Sequence, residues 1–280
     1  MPSLTEKILI TVKTYPTLSR KYAELVCTAG ITESGEWRRL YPVRFRQLYE
    51  EKKYSKYQWV EAKIEKSISD RRPESYKIIA NSLNPIGEPL STDKFWRARR
   101  EAFFKKVEVH EDLEVLINKA HRNELSLAIF RPSRFLKFTH ELVEREWDVG
   151  KLADLEKQKQ QLHLFKDIET VARELEIVQK LPYKFSYQFE DCRGKKSKLM
   201  IEDWEIGALY WKCLRNNHND EQVALKKVTE KYWDDFVQSG KREIALVLGT
   251  TLERHNKKAP NPFVIISVYY PTLEKQMWLF

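Results

Sequence analysis

Three groups of residues in the sequence combine side chains that could do chemistry, and the first is the acidic run IEDWE at 201–205. On a strand, Asp203 and Glu205 would point to one side and Glu202 to the other. At a strand end, such carboxylates could hold a metal, activate water or stabilise the oxocarbenium ion of an excised nucleoside. The alternative is the first turn of a helix, where acidic side chains interact with the helix dipole and Trp204 lies in the core.

The second group lies in the polar segment RHNKKAPN at 254–261, which is predicted to be a loop between two buried strands. His255 is a candidate catalytic residue, Asn256 could contact a base or a phosphate, and Lys257 and Lys258 could neutralise phosphate charge. A loop held by rigid strands is a good place for function. A lone histidine is also common without any catalytic role.

The third group is VEAKI at 60–64, where Glu61 and Lys63 share one face of a predicted strand. This is the second half of the PD-(D/E)xK nuclease pattern, in which two carboxylates hold a metal such as Mg²⁺ and lysine stabilises the attacking water. The first half is missing, because no aspartate precedes Asp70. Glu24 is the candidate to replace it.

The stretch GEWRRLYPVRFR at 35–46 holds four arginines, a tryptophan, a tyrosine and a phenylalanine. Arginine binds phosphate in a bidentate manner, and base stacking on an aromatic ring contributes about 1–3 kcal/mol. The backbone contacts are predicted to come from Arg38, Arg39, Arg44, Arg46, Lys52 and Lys53. Stacking on an exposed or flipped base is predicted for Trp37, Tyr41 and Trp59. The alternative is that the aromatic rings are core residues and the arginines lie over them.

Composition favours a polyanionic partner and excludes several other classes. Residues 1–110 carry 22 Lys and Arg against 14 Asp and Glu, an excess of 8 that accounts for nearly all of the net charge of +9. The 8 glycines include neither GxGxxG nor GxxxxGK[ST], which argues against a dinucleotide or ATP enzyme. Three dispersed cysteines argue against a disulfide framework or a zinc site and favour a cytoplasmic protein. No apolar run approaches the roughly 18 residues of a membrane helix, so no membrane partner is expected.

Hydrophobic periodicity predicts an α+β fold that positions these groups. Strands at 7–15, 24–31, 36–43 and 58–67 indicate a small β-barrel or a twisted sheet. Further strands are predicted at 125–138, 182–191, 196–205, 243–251 and 262–270. Helices are predicted at 93–107, at 110–123, from the end of the 196–205 strand through Trp211, and over 220–237. The predicted organisation is a basic β-rich domain at 1–147, a helical linker or connector at 148–180 and an α+β domain at 181–280.

Within the connector, residues 161–165 read QLHLF. This resembles the pentapeptide Gln-Leu-x-Leu-Phe with which bacterial DNA polymerases and repair proteins dock on the sliding clamp. The resemblance implies that Leu164 and Phe165 enter the clamp cleft, Gln161 fills a polar subsite and Leu162 packs beside it. The alternative is one apolar stripe of a helix packed on a domain.

The segments ITVKTYPT, CTAGI, RLYPV, RPES and IEDWEIGALYW together resemble an uncharacterised bacterial family. Three hypotheses about function remain open. The first is an enzyme acting on DNA, either a base-excising glycosylase or a Mg²⁺-dependent nuclease, in genome maintenance or phage defence. The second is a non-catalytic reader of modified or single-stranded nucleic acid, and the third is an adaptor that docks through QLHLF.

Overall fold

The computed structural model describes residues 3–19, 23–43, 45, 48, 50–79, 81–148, 150, 152–153 and 178–273, with the backbone alone at 19 and 23–25. Arg44, Arg46 and the pentapeptide QLHLF lie outside the described residues. The predicted contacts of these residues therefore stay predictions.

The N-terminal region forms a closed, barrel-like sheet of five strands. In their order around the sheet they are β1 (Leu4–Lys13), β3 (Ala23–Thr32), β4 (Trp37–Val43), β6 (Ser75–Ile78) and β5 (Trp59–Lys66). Strand β5 pairs with β1 and closes the barrel, and every pair is antiparallel except β4 with β6. Two short strands, β2 (Thr17–Ser19) and β7 (Asn84–Ile86), pair with β3 and β5. The predicted N-terminal β-barrel is confirmed.

Strand β1 contributes to two hydrophobic cores because its side chains alternate between the faces of the sheet. Ile8 and Ile10 lie in the barrel interior. Leu9 and Val12 lie on the outside, and a β-bulge between Ile10 and Val12 keeps the latter on that face. The barrel therefore has an apolar outer face that must be covered.

The C-terminal region covers that face. It contains β8 (Val109–His110), α2 (Leu113–His121), β9 (Leu127–Phe130), β10 (Arg134–Leu142), β11 (Tyr183–Glu190), β12 (Lys196–Met200), α3 (Trp204–Asn216), α4 (Glu221–Thr229), a π-helical segment (Glu230–Gln238), β13 (Ala245–Thr250), α5 (Leu252–Asn256) and β14 (Phe263–Tyr269). One sheet has the order β10-β11-β12 and the other β14-β13-β9-β8. Val247, Val264 and Ile266 of the second sheet share a core with Leu9 and Val12 of the barrel.

Strands on both sides of the predicted 148–180 connector pair with each other. Strand β10 pairs with β11 from Arg134↔Glu190 to Leu142↔Tyr183, and β9 pairs with β13. In the chain, α1 (Asp93–Ala102) follows the barrel strands and precedes these strands. It has left-handed backbone torsions at Lys94, Phe95 and Trp96. The predicted α+β fold is confirmed.

Two local predictions need correction. The strand predicted over 196–205 ends at Met200, because Asp203 caps α3 with its side chain and the helix begins at Trp204. The loop predicted over 254–261 begins inside α5, because Thr251 caps that helix by accepting a hydrogen bond from the backbone N–H of Arg254. No helix within the described ranges is long and apolar enough to cross a membrane.

Candidate functional site

A pocket of ≈ 450 Å³ lies where the barrel meets the C-terminal region. The barrel contributes residues from β2, β3, β4 and the segment between β1 and β2, and the opposite wall comes from β11, β12, α5 and β14. The pocket is mainly apolar, and its aromatic side chains are those of Tyr15, Tyr41, Trp147 and Tyr183. Its polar and charged side chains include those of Thr14, Arg39, Arg72, Lys180, Lys184, Glu202 and Thr250.

Tyr15 is held in the pocket wall by three hydrogen bonds and by the packing of its ring. Its backbone N–H donates to the carbonyl oxygen of Glu202 at 2.8 Å. Its hydroxyl accepts from Trp211 Nε1 and donates to the carbonyl oxygen of Gln179, both at 2.8 Å. Its ring packs directly on Gly207 of α3, where an added Cβ would lie 2.2 Å from the Tyr15 ring. The wall is therefore preformed.

Glu202 places a carboxyl group in this pocket. Burial raises the pKa of Glu202, and the opposing influence comes from the positive charge of Arg254. No hydrogen bond or ion pair of this carboxyl is formed within the described part of the chain. A carboxyl with a raised pKa can either donate a proton or accept a hydrogen bond near neutral pH, so it is suited to acid–base chemistry or to reading a polar ligand edge.

Two further polar groups of the pocket residues are buried without a hydrogen-bond partner among the residues that the structure describes. The Arg39 side chain is 2% exposed; its Nη2 donates to the carbonyl oxygen and the hydroxyl of Ser126, both at 3.0 Å, but its Nε has no acceptor. The hydroxyl of Thr250, also 2% exposed, has no partner either. Unsatisfied buried donors cost about 1–3 kcal/mol each. A ligand with polar edges would relieve that cost.

Arg39 belongs to a larger buried network behind the pocket. Arg72 forms a buried ion pair with Asp70 and donates to the carbonyl oxygen of Thr250. Glu74 accepts from both the backbone N–H and the hydroxyl of Ser126, which in turn binds Arg39. Burial and the nearby charge of Arg72 lower the pKa of Arg39. The network holds the Arg39 guanidinium in one orientation.

Several side chains predicted to form a nucleic-acid surface are engaged within the protein. Arg38 donates to Glu6 Oε2 and Oε1 at 2.6 and 2.8 Å and to Glu36 at 2.8 Å. Burial acts to lower the pKa of Arg38, but the two carboxylates outweigh it and raise that pKa. Trp37 packs edge-on against Phe103. Trp37 is half-buried, and the guanidinium carbon of Arg38 lies 4.9 Å from the ring centre of Tyr76.

Other members of the predicted surface lie on or near the outer side of the barrel. Lys7 Nζ lies 4.9 Å from the ring centre of Trp59, which is half-buried. Lys52 donates to Asn84, and Lys53 pairs with Glu50. Tyr41 is 40% exposed and lines the pocket together with Arg39. Of the described residues predicted to contact nucleic acid in the first sixty positions, only Arg39 and Tyr41 line the pocket.

Asp203 and Glu205 are close together but point away from the pocket. Lys56 Nζ lies 3.2 Å from Asp203 Oδ2 and 3.1 Å from Glu205 Oε2. Asp203 also accepts from the backbone N–H groups of Glu205 and Val268, both at 3.3 Å. Burial raises the pKa of Asp203 to about 6, although Lys56 acts in the opposite direction. This arrangement, with helix-capping by Asp203, joins the barrel to α3.

The structure does not bring the predicted nuclease residues together. Glu61 and Lys63 are exposed on β5. In the backbone pairing of β5 with β1, Glu61 lies opposite Lys7, near the start of β1. The backbone of Glu24 pairs with Leu18 of β2, beyond the point where Thr28 pairs with Lys13 at the end of β1. The two glutamates are therefore at opposite ends of the barrel. Within the described ranges, no group of three or more His, Cys, Asp or Glu residues could hold a metal ion.

The residues of the 254–261 segment divide between interior and surface. His255 is 8% exposed; its Nε2 hydrogen-bonds Asn123 Oδ1 at 2.9 Å, and burial lowers its pKa. Asn256, Lys257 and Lys258 are exposed. None of these four residues lines the pocket, but Leu252 from the same helix does.

Glu202 is the functional candidate that sequence reasoning missed. The alternation of side chains in IEDWE already indicates it, because Glu202 must point to the opposite side from Asp203 in an extended segment. What the pattern did not show was that the pocket lies on the side of Glu202. The sequence predicts nucleic-acid contacts for Arg39 and Tyr41 as parts of an open surface, whereas both residues line the pocket.

Two family descriptions match the chain. Residues 108–280 match the family described as Domain of unknown function (DUF8757), and residues 4–105 match Domain of unknown function (DUF8758). Because the first match spans more than half of the chain, the protein belongs to the DUF8757 family. The expected membership of an uncharacterised family is thereby confirmed. No curated protein sequence matches the chain.

Proposed function

We propose that this protein binds nucleic acid, with DNA favoured, and accepts one unpaired or extruded nucleobase in the pocket between the barrel and the C-terminal region. The observation that carries the proposal is the combination, inside one preformed pocket, of aromatic walls with the Glu202 carboxyl, which forms no hydrogen bond or ion pair with a described residue. Proteins that extract a base hold it in a close-fitting pocket, stack it between aromatic or apolar side chains and hydrogen-bond its Watson–Crick edge.

Size and lining are suited to such a ligand. The volume of ≈ 450 Å³ falls within the range of about 300–1,000 Å³ that is common for small-molecule sites. Tyr41, at 40% exposure, can cover an entering base, and Tyr15 is fixed in the wall. Such pockets are mostly apolar with a few polar groups that fix orientation.

The polar groups suit the edge of a base. Glu202 can donate when protonated and accept when ionised, Arg39 Nε can donate, and the Thr250 hydroxyl can do either. A nucleobase edge carries donors and acceptors side by side. A base bound here would satisfy groups that are otherwise buried without partners.

Charge supports a polyanion as the source of the base. The chain carries a net charge of +9, and Lys180 and Lys184 line the pocket. Cations near a base pocket attract the phosphate backbone and make binding salt-dependent. On this proposal the protein acts in the cytoplasm, in genome maintenance or defence against phage.

The test measures affinity for labelled DNA and RNA, single-stranded, fully paired or carrying one mismatched or modified base, at low and moderate salt. We expect substrates with an unpaired base to bind more tightly than fully paired duplex. Glu202→Ala and Tyr41→Ala should each reduce that preference, and the exposed Glu61→Ala should not. Absence of binding to every substrate at low salt would overturn the proposal.

Excision of the bound base is the second candidate function, favoured by the raised pKa of Glu202. Such a carboxyl could protonate a departing base while water attacks the sugar carbon, which is the general-acid half of glycoside hydrolysis. Alkali-labile breaks formed by the native protein but not by Glu202→Gln would support a glycosylase. Breaks that form before alkali and only with Mg²⁺ would support a nuclease, and tight binding without breaks would support a reader.

Docking on a bacterial sliding clamp through QLHLF remains a separate proposal, supported by the match at Gln161, Leu162, Leu164 and Phe165. Purified clamp should bind the native chain and lose affinity for the double variant Leu164→Ala with Phe165→Ala. The matched control is His163→Ala, since that position is undefined in the motif. Equal binding by all three chains would rule out this mode of docking.

A further inference from the structure

A second cavity, of ≈ 350 Å³, lies next to the base pocket. Lys184 and Met200 line both cavities, so the two are neighbours across the edge of the β10-β11-β12 sheet. The second cavity is also lined by Ser186, Lys198, Arg254 and Asn261. Its lining thus includes three cationic side chains.

Two of these cations form no direct ion pair within the described part of the chain. Lys198 pairs with Glu141. By contrast, the Lys184 ammonium and the Arg254 guanidinium form no hydrogen bond or ion pair with any residue that the structure describes. Other cations of the same region are paired, among them Lys257, whose Nζ lies 2.6 Å from Glu253 Oε1. The charge of Lys184 acts on Glu141 and that of Arg254 on Glu202, but neither cation is fixed in a direct ion pair with a described residue, so both can turn to an external anion.

Ser186 adds a buried hydroxyl donor to the lining of the same cavity. It is 1% exposed, and its hydroxyl has no hydrogen-bond partner among the described residues. Lys184 and Ser186 are two positions apart on β11 and share a face, whereas Phe185 and Tyr187 enter the core. The cavity thus combines charge from two side chains with a preformed, dehydrated hydroxyl donor.

We propose that this second cavity is a phosphate subsite that binds a phosphoryl group of the nucleotide whose base occupies the first pocket. Arginine and lysine bind phosphate through charge-assisted hydrogen bonds, and a neutral hydroxyl can complete the set. The position of Lys184, which lines both cavities, joins the two subsites. This inference rests on the proposed base pocket for the identity of the ligand, but the phosphate chemistry can be tested by itself.

The experiment is calorimetric titration of the full chain with the four deoxynucleosides, their 5′-monophosphates, inorganic phosphate and a short single-stranded oligonucleotide. The variants are Arg254→Ala and Ser186→Ala. The control is Lys257→Ala, at the residue that follows the same short helix, where the side chain is exposed and paired with Glu253. Circular dichroism of each variant verifies folding.

For the native chain we expect a monophosphate to bind about tenfold more tightly than its nucleoside, because one charge-assisted hydrogen bond is worth about that factor. That ratio should fall towards one in Arg254→Ala, fall partially in Ser186→Ala and stay unchanged in Lys257→Ala. Equal affinity for nucleoside and monophosphate would overturn the phosphate subsite and leave the base pocket standing. A monophosphate advantage that survives Arg254→Ala would also overturn it.

The two proposals can fail separately. If inorganic phosphate binds in an Arg254-dependent manner while nucleosides and nucleotides add nothing, the anion site stands and the base pocket fails. If only the oligonucleotide shows the Arg254-dependent gain, the phosphate comes from a strand and not from a free nucleotide. If neither phosphate nor any nucleotide binds, both proposals are wrong.

Discussion

Glu202 and Asp203 are consecutive residues whose carboxyl groups lie on opposite sides of the junction between the barrel and the C-terminal region. Asp203 is fully buried, with Lys56 Nζ 3.2 Å from its Oδ2, and it caps α3. Glu202 lines the pocket and forms no hydrogen bond or ion pair with a described residue, although the charge of Arg254 acts on it. One carboxyl therefore stabilises the fold, and its neighbour is free for a ligand.

The first prediction concerns the buried ion pair. Lys56→Met should lower the free energy of unfolding by about 3 kcal/mol, because removing one partner leaves a buried carboxylate without its counter-charge. Urea denaturation at pH 7 would measure this. Lys257→Met, at an exposed pair, should change stability by less than about 0.5 kcal/mol. A similar small change for Lys56→Met would contradict the assigned role.

The second prediction concerns the pH dependence of stability. The pKa of Asp203 is raised from 3.8 to about 6 by burial, so between these values the folded protein binds more protons at this site than the unfolded chain. The stabilisation from this group is present below pH 3.8 and is lost as pH rises through 6. As the pH rises from 4 to 6, the urea midpoint of the native chain should therefore fall relative to the midpoint of Asp203→Asn. A constant difference over that range would contradict the assignment.

The third prediction concerns the wall of the pocket. Gly207→Ala places a Cβ 2.2 Å from the ring of Tyr15, which is held by hydrogen bonds at its hydroxyl and its backbone. We expect a loss of about 1–3 kcal/mol in unfolding free energy, as for other overpacked sites, together with weaker ligand binding. The adjacent, exposed Ala208→Ser is the control and should leave both quantities nearly unchanged. Unaltered stability of Gly207→Ala would show that the wall is not tightly packed.

The fourth prediction concerns protonation of the pocket carboxyl. Because burial raises the pKa of Glu202, a falling pH increases the fraction that can donate a hydrogen bond, and affinity for base-containing ligands should rise. Glu202→Gln keeps a donor but cannot titrate, so its affinity should not follow this part of the pH dependence. Binding measured from pH 5 to 8 for both chains would test it. Parallel pH curves would exclude Glu202 as the titrating group.

Local sequence pattern was sufficient for the barrel and for most of the secondary structure. The nearly continuous apolar run in KILITV packs one set of side chains into the barrel and the other against the second sheet, as a strand with two buried faces requires. The pattern could not show that β5 closes on β1. That closure is a pairing of segments about fifty residues apart, and it depends on the shape of the whole sheet.

The sequence by itself determined which chemical groups are available, and the tertiary structure decided which of them remain free. Arg38 and Arg39 are adjacent and equally cationic in the sequence. Folding brings Glu6 of β1 to Arg38 and buries Arg39 beside Ser126 of the C-terminal region, so one is neutralised and the other faces the pocket. In IEDWE, likewise, Lys56 forms an ion pair with Asp203, whereas Glu202 forms no ion pair with a described residue and only the charge of Arg254 acts on it. The physical reason is that partners distant in the chain supply the charge and burial that set each group's role, and only the folded backbone brings them within reach.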